Sequence, residues 1–139
     1  MSQENVEIAR RAYDSLTVGN LSRLAEFVAP EIEVDLTRNV FNPQVIRGYE
    51  GIEQFITTLN EVWEDFRFEI EELIDAGDNV VAVVRLVGKG KGSGVPVDQR
   101  DTHVVKARDG KAVHIAVYRD RAEALEAAGL SEQDAHAGS

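Results

Sequence analysis

Residues 100–119, RDTHVVKARDGKAVHIAVYR, read as a β-hairpin, and its register decides which side chains enter the protein. Side chains alternate across a strand, so a slip of one residue moves the whole apolar set to the other face. A two-residue Asp109-Gly110 turn sets Val105 opposite His114 and His103 opposite Ala116, which mixes polar and apolar residues on both faces. A three-residue Arg108-Asp109-Gly110 loop, with Gly110 left-handed, sets Val105 opposite Val113, His103 opposite Ile115 and Asp101 opposite Val117. Only this second register gives one coherent apolar face. It is therefore expected, with His103 and Asp101 pointing inward and Gln99 and Arg119 further toward the end of the sheet.

The segments before the hairpin agree with a sheet that buries one face. In NVVAVVRLVGKG, Val80, Ala82, Val84 and Leu86 form a wholly apolar face, while Arg85 shares the other with Val81, Val83 and Val87. In DFRFEIEE, Phe66, Phe68 and Ile70 alternate with Arg67, Glu69 and Glu71, and the two acids are placed to pair with Arg85. EIEVDL sets Ile32, Val34 and Leu36 against Glu31, Glu33 and Asp35. Helical spacing appears earlier, in Val6, Ala9, Tyr13 and Leu16 with Gly19 as a stop, and again in Ile52, Phe55, Ile56, Leu59 and Trp63. Asn20 is a candidate cap for a short helix LSRLAEFV that Pro30 ends. Helices first and strands last predict an α+β fold, a curved antiparallel sheet with helices packed on one side. One domain over residues 1–130 is expected, with EALEAAGL as a terminal helix and 131–139 as a flexible tail.

Charge and composition narrow the chemistry. Fifteen Lys and Arg against 25 Asp and Glu give a net charge of −10, which repels a phosphate backbone, so no nucleic-acid partner is expected. The absence of cysteine removes thiolate nucleophiles and the common zinc sites, and three scattered histidines lack metal-ligand spacing. No metal and no cofactor are expected. No stretch approaches the ~20 apolar residues of a membrane span, and the first residues lack a leader pattern, so a cytoplasmic location is expected. GKGKGSG, residues 88–94, leads into a strand rather than a helix, which makes it a hairpin end instead of a phosphate cradle. The second face of the sheet, bearing Val81, Val83, Arg85, Val104, Ala116 and Tyr118, is apolar enough to predict a homodimer.

His103 and Asp101 are the chemistry-bearing pair. Side chains two residues apart on one strand face lie about 6.5–7 Å apart at their origins, within reach of each other directly or through one water. A buried acid requires a partner or a wet cavity, whereas an Asp at the sheet's rim needs only water or Arg119. An inward His can equally be a neutral core residue.

Taken in order, ARRAYDSLTVGN, LAEFVAPEIEVD, RGYEGIEQF, WEDFRFEIEELIDAGDNVVAVVRLVGKGKGSG, HVVKARDGK and YRDRAEALEAAGL resemble the SnoaL-like branch of the nuclear-transport-factor-two-like superfamily, related to ketosteroid isomerases and polyketide cyclases. The resemblance spans about residues 3 to 130. It implies a cone whose curved sheet and helices enclose one apolar pocket, a fold that hosts enzymes and binding modules alike. The isomerase's strand carboxylate falls on Leu36 and its first-helix tyrosine on Ala12, beside Tyr13, while its neutral aspartate falls on His103. The pocket Asp and His of SnoaL-like cyclases find their nearest equivalent in Asp101 and His103. The implied pocket draws on Tyr13, Leu36, Phe55, Trp63, Phe68, Val84, Val105, Ile115, Val117 and Arg119, and Phe41 is a further aromatic candidate. The implied activity is cofactor-free isomerisation or cyclisation of an apolar carbonyl compound. In it His103 is the acid or base and Asp101 orients it or shares its proton. The alternative is a binding or accessory module without catalysis.

Overall fold

The structure, a computed structural model, describes residues 2–16, 21–38 and 43–131. Gly19, Asn20, Phe41 and the tail from 132 lie outside the described residues. Helix α1 spans Ser2–Ser15, a 3₁₀ turn covers Leu21–Arg23 and α2 covers Leu24–Phe27. Strand β1 (Val28–Asp35) and the short β2 (Val45–Arg47) precede α3 (Gly48–Val62). Then come β3 (Trp63–Ala76), β4 (Asn79–Gly90), β5 (Pro96–Arg108), β6 (Lys111–Tyr118) and α4 (Arg121–Ala127).

One six-stranded sheet runs in the order β2-β1-β6-β5-β4-β3. The fold is α+β, and two details differ from the expectation. The sheet is mixed, because β1 pairs parallel to β6 while the other neighbours are antiparallel. In addition, α4 does not join the other helices. Its Leu125 packs on Ile74 and Val81 in a cluster separate from the main core, which gathers residues of α1, α2 and α3 with the other face of the sheet.

The hairpin reaches the expected facing by another route. Asp109 and Gly110 both have positive φ, +53° and +81°, the signature of a two-residue type I′ turn, and Arg108 pairs with Lys111. A bulge between the Lys106–His114 and Ala107–Ala112 pairs then takes up Val113 as one extra residue. His103 therefore opposes Val117 and Val105 opposes Ile115, a register two residues from the one expected. Two residues is a full period of the strand, so the same side chains still face inward. Val113 leaves the inner face, and Ala112 takes its place in the core.

Bulges reset two further runs. In β3 the register shifts between Ile70 and Glu72, so Leu73 joins the main core while Ile74 turns to the α4 side. A second shift, between Glu64 and Arg67, sets two residues, the left-handed Asp65 (φ +52°) and Phe66, against the single Gly88. A Cβ on Gly88 would lie 3.0 Å from Phe66 Cα and 3.2 Å from the Glu64 carbonyl, both backbone atoms that cannot swing aside. Gly88→Ala is expected to destabilise the protein by about 1–3 kcal/mol in urea unfolding, and an unchanged midpoint would show that the bulge yields freely. Pro30, expected to end a helix, lies inside β1, where the pairing with β6 is irregular between Val28 and Glu33 and its missing N–H is tolerated.

The outer face is covered from within the chain. Val81 lies under Leu125, and Val83, Val104 and Ala116 are buried without a partner. Around them Arg85 pairs with Asp98 and Glu69, Arg100 with Glu71, and Arg121 with Glu72. The expected Arg85–Glu69 pair is thus formed, whereas Glu71 goes to Arg100. Val81, Val83, Val104 and Ala116, on the face expected to carry a homodimer, are thus buried within the single chain.

Candidate functional site

On the inner face the strands set side chains in rows. Phe68, Leu86 and Gln99 form one row, Ile70, Val84 and Asp101 the next, and Leu73, Ala82, His103 and Val117 the third. Ala82, the small member of the third row, is fully buried in the core beside His103. Helices α1 and α3 lie across these rows and bring Ala12, Tyr13, Phe55 and Leu59 over them. A cavity of about 290 Å³ remains between helices and sheet. Its lining is apolar and aromatic except for a polar group formed by Tyr13, Gln99, Asp101 and His103, together with the indole of Trp63. Among the described residues no Lys or Arg lines it.

His103 is 8% exposed and Tyr13 3%. The Tyr13 hydroxyl and His103 Nδ1 are 2.5 Å apart, with ring centroids 5.6 Å apart. Two tautomers satisfy this contact: the hydroxyl donates to a bare Nδ1, or Nδ1–H donates to the hydroxyl oxygen. Burial pushes the imidazole down to about 4 and the phenol above its ordinary value, so both groups are neutral near pH 7. Asp101 Oδ2 accepts from Gln99 Nε2 at 3.0 Å, while Oδ1 is buried with no hydrogen-bond partner among the described residues. Burial raises the Asp101 carboxyl above the usual carboxylate value, opposed by the Gln99 hydrogen bond and the charge of Arg119.

The structure brings the expected residues together with different partners. Asp101 and His103 line the same cavity but bond to Gln99 and Tyr13 rather than to each other. Of the residues assigned to the pocket, all but two line it. Val105 is packed in the core beneath the cavity, one row beyond His103, and Arg119 is exposed, reaching Asp101 only through its charge. Sequence reasoning missed the Tyr13–His103 contact, which joins residues 90 apart and has no local signature. Gln99 was placed on the right face without a role. It is the residue that leaves Asp101 half-satisfied.

A family model for the SnoaL-like domain matches residues 9–115, most of the chain. The protein belongs to the SnoaL-like family. Among solved structures, this SnoaL-like protein is similar to a candidate SnoaL-like polyketide cyclase from a Jannaschia species, at 26% identity and a TM-score of 0.71, over 86% of this chain and 87% of that one. It is also similar to a protein of ketosteroid isomerase-like fold from Catenulispora acidiphila in complex with trimethylamine, at 19% identity and a TM-score of 0.70, over 91% and 95%. A third neighbour is TerC, co-crystallised with polyporic acid, at 20% identity and a TM-score of 0.71, over 91% and 98%. The two neighbours below 25% identity establish the shared fold alone. No curated protein matches the chain. Among the described residues no helix of this SnoaL-like protein is long and apolar enough to cross a membrane.

Proposed function

We propose that this SnoaL-like protein binds an apolar ketone in its cavity and catalyses proton transfer at the carbon next to the carbonyl, the elementary step of an isomerisation or an aldol-type cyclisation. The observation that carries the reading is Asp101 Oδ1, a buried carboxylate oxygen without a partner, two residues along the strand from the neutral Tyr13–His103 pair. Desolvation makes a carboxylate a stronger base, and a neutral imidazole or phenol is a hydrogen-bond donor suited to a carbonyl oxygen. In the proposed step Asp101 Oδ1 removes the α-proton. The C–H electrons move into the enolate, whose oxygen accepts a hydrogen bond from the Tyr13–His103 pair, and the proton returns from Asp101 to carbon. This assigns the base to Asp101 rather than to His103, because His103 Nδ1 is occupied by Tyr13 and burial has lowered its basicity. Two proteins of the same fold, the Catenulispora neighbour and TerC, were crystallised with small molecules, which is in keeping with a ligand-binding role.

The probe is α-tetralone, a bicyclic aryl ketone, incubated with the protein in D₂O and followed by proton NMR at C2. Protein-dependent, saturable exchange is expected. Ala12→Trp fills the cavity from α1 and is expected to reduce exchange to the buffer rate. Undiminished exchange in that variant would place the chemistry elsewhere.

A further inference from the structure

The cavity's electrostatics are one-sided. The whole chain carries −10, and among the described residues no cation lines the cavity to balance Asp101. The nearest basic group with an influence on that carboxylate, Arg119, is exposed and forms no ion pair with it among the described residues. Gln99 satisfies Oδ2 and leaves Oδ1 as an acceptor with nothing donating to it. A half-buried carboxylate with one buried, unpartnered oxygen is stabilised by an occupant that brings a charged N–H to that oxygen, and such hydrogen bonds are about twice as strong as neutral ones. The apolar wall includes Phe55, Trp63 and Phe68, whose ring faces favour a cation over an anion. A ligand carboxylate meets the opposite situation, a second negative charge in the same small cavity, where the Tyr13–His103 pair offers a neutral hydrogen bond but no balancing positive charge.

We infer that this cavity takes apolar amines in their protonated form, with Asp101 Oδ1 as counter-ion, and rejects apolar carboxylates. The inference rests on the reading of the cavity as the ligand site. It adds a second ligand class to the ketone: an amine seated on Asp101 occupies the base and inhibits the proton transfer in competition with the ketone.

The test uses three probes of one shape, 4-phenylbutylamine, 4-phenylbutanol and 4-phenylbutyrate, titrated at pH 7 and low salt against the quenching of Trp63, the only tryptophan, with calorimetry as a second readout. The amine is expected to bind at least about ten-fold more tightly than the carboxylate, with the alcohol between them. In Asp101→Asn, which preserves shape and removes the charge, the ratio is expected to fall to about one to three. A carboxylate that binds wild type as well as the amine overturns the inference, and so does a ratio that survives Asp101→Asn, which would assign the preference to the acidic surface. The wild-type comparison decides even where the variant folds poorly. If the alcohol binds and the amine gains nothing, the charge selection alone fails; if none of the three binds, the cavity is no ligand site and the proposed function fails with it.

Discussion

Replacing Asp101 by Asn is expected to slow α-proton exchange of α-tetralone by about two to four orders of magnitude while leaving the ketone's affinity within about three-fold. The amide retains the volume and the contact with Gln99 but cannot accept a proton, so the loss falls on the chemical step. Tyr13→Phe and His103→Gln are expected to act differently. Each removes or rearranges one donor to the developing enolate oxygen, which makes the expected loss about ten- to a thousand-fold, without moving the pH at which the base titrates. If Asp101→Asn exchanges normally while His103→Gln is inactive, the base is His103 and the roles proposed here are reversed.

The second large effect concerns stability in acid. His103 is neutral when folded, at about 4, against 6.5 for the free side chain, so between these values the unfolded chain binds more protons than the folded one. The contribution is fully present above pH 6.5, is lost progressively as the pH falls toward 4, and levels off below that. Its size is about 3 kcal/mol at one unit of pH per 1.4 kcal/mol. Asp101, whose carboxyl is raised by burial, works in the opposite sense at the lower end, since protonating it relieves the folded state. The exposed Glu71 and Asp98, lowered by hydrogen bonds from Arg100 and Arg85, lose their pairing only as the pH falls through the ordinary carboxylate range and below it. Urea unfolding at intervals from pH 7 to 4.5 is expected to show a decline in wild type that His103→Gln largely lacks. Equal slopes in the two proteins would mean that the imidazole titrates freely, at odds with its burial.

The facing of residues was easier to read than their pairing. The alternation of Asp101, His103 and Val105 against Thr102 and Val104 was enough to turn His103 inward. The register was not legible, because a bulge at Val113 leaves no mark on the apolar pattern except its own misfit, and two errors of one residue add to a full period that leaves the facing unchanged. The Asp109-Gly110 dipeptide favoured the type I′ turn that forms, but a bulge-free hairpin on that turn scrambles both faces. The parallel β1–β6 junction and the placement of α4 escaped for a related reason: both depend on where the chain returns, which no local period records. Within the site, Asp101 and His103 were visible because polar groups interrupt an apolar face. Their partners were less so. Tyr13 lies on the buried stripe of a helix and reads as core until the fold carries it to His103, and the resemblance pointed one position away, to Ala12. Val105, assigned to the pocket by its facing alone, shows that an inward residue can be one row too deep.

In the proposed mechanism one carboxylate, on one side of a bound ketone, removes the α-proton. The stereochemistry of exchange at C2 of α-tetralone tests it most directly. Initial-rate samples with wild-type protein in D₂O are predicted to contain monodeuterated ketone enriched in one configuration, because Asp101 reaches only one face of a ligand held beneath the Tyr13–His103 pair. Racemic monodeuteration, or exchange at the rate of buffer alone, would contradict it.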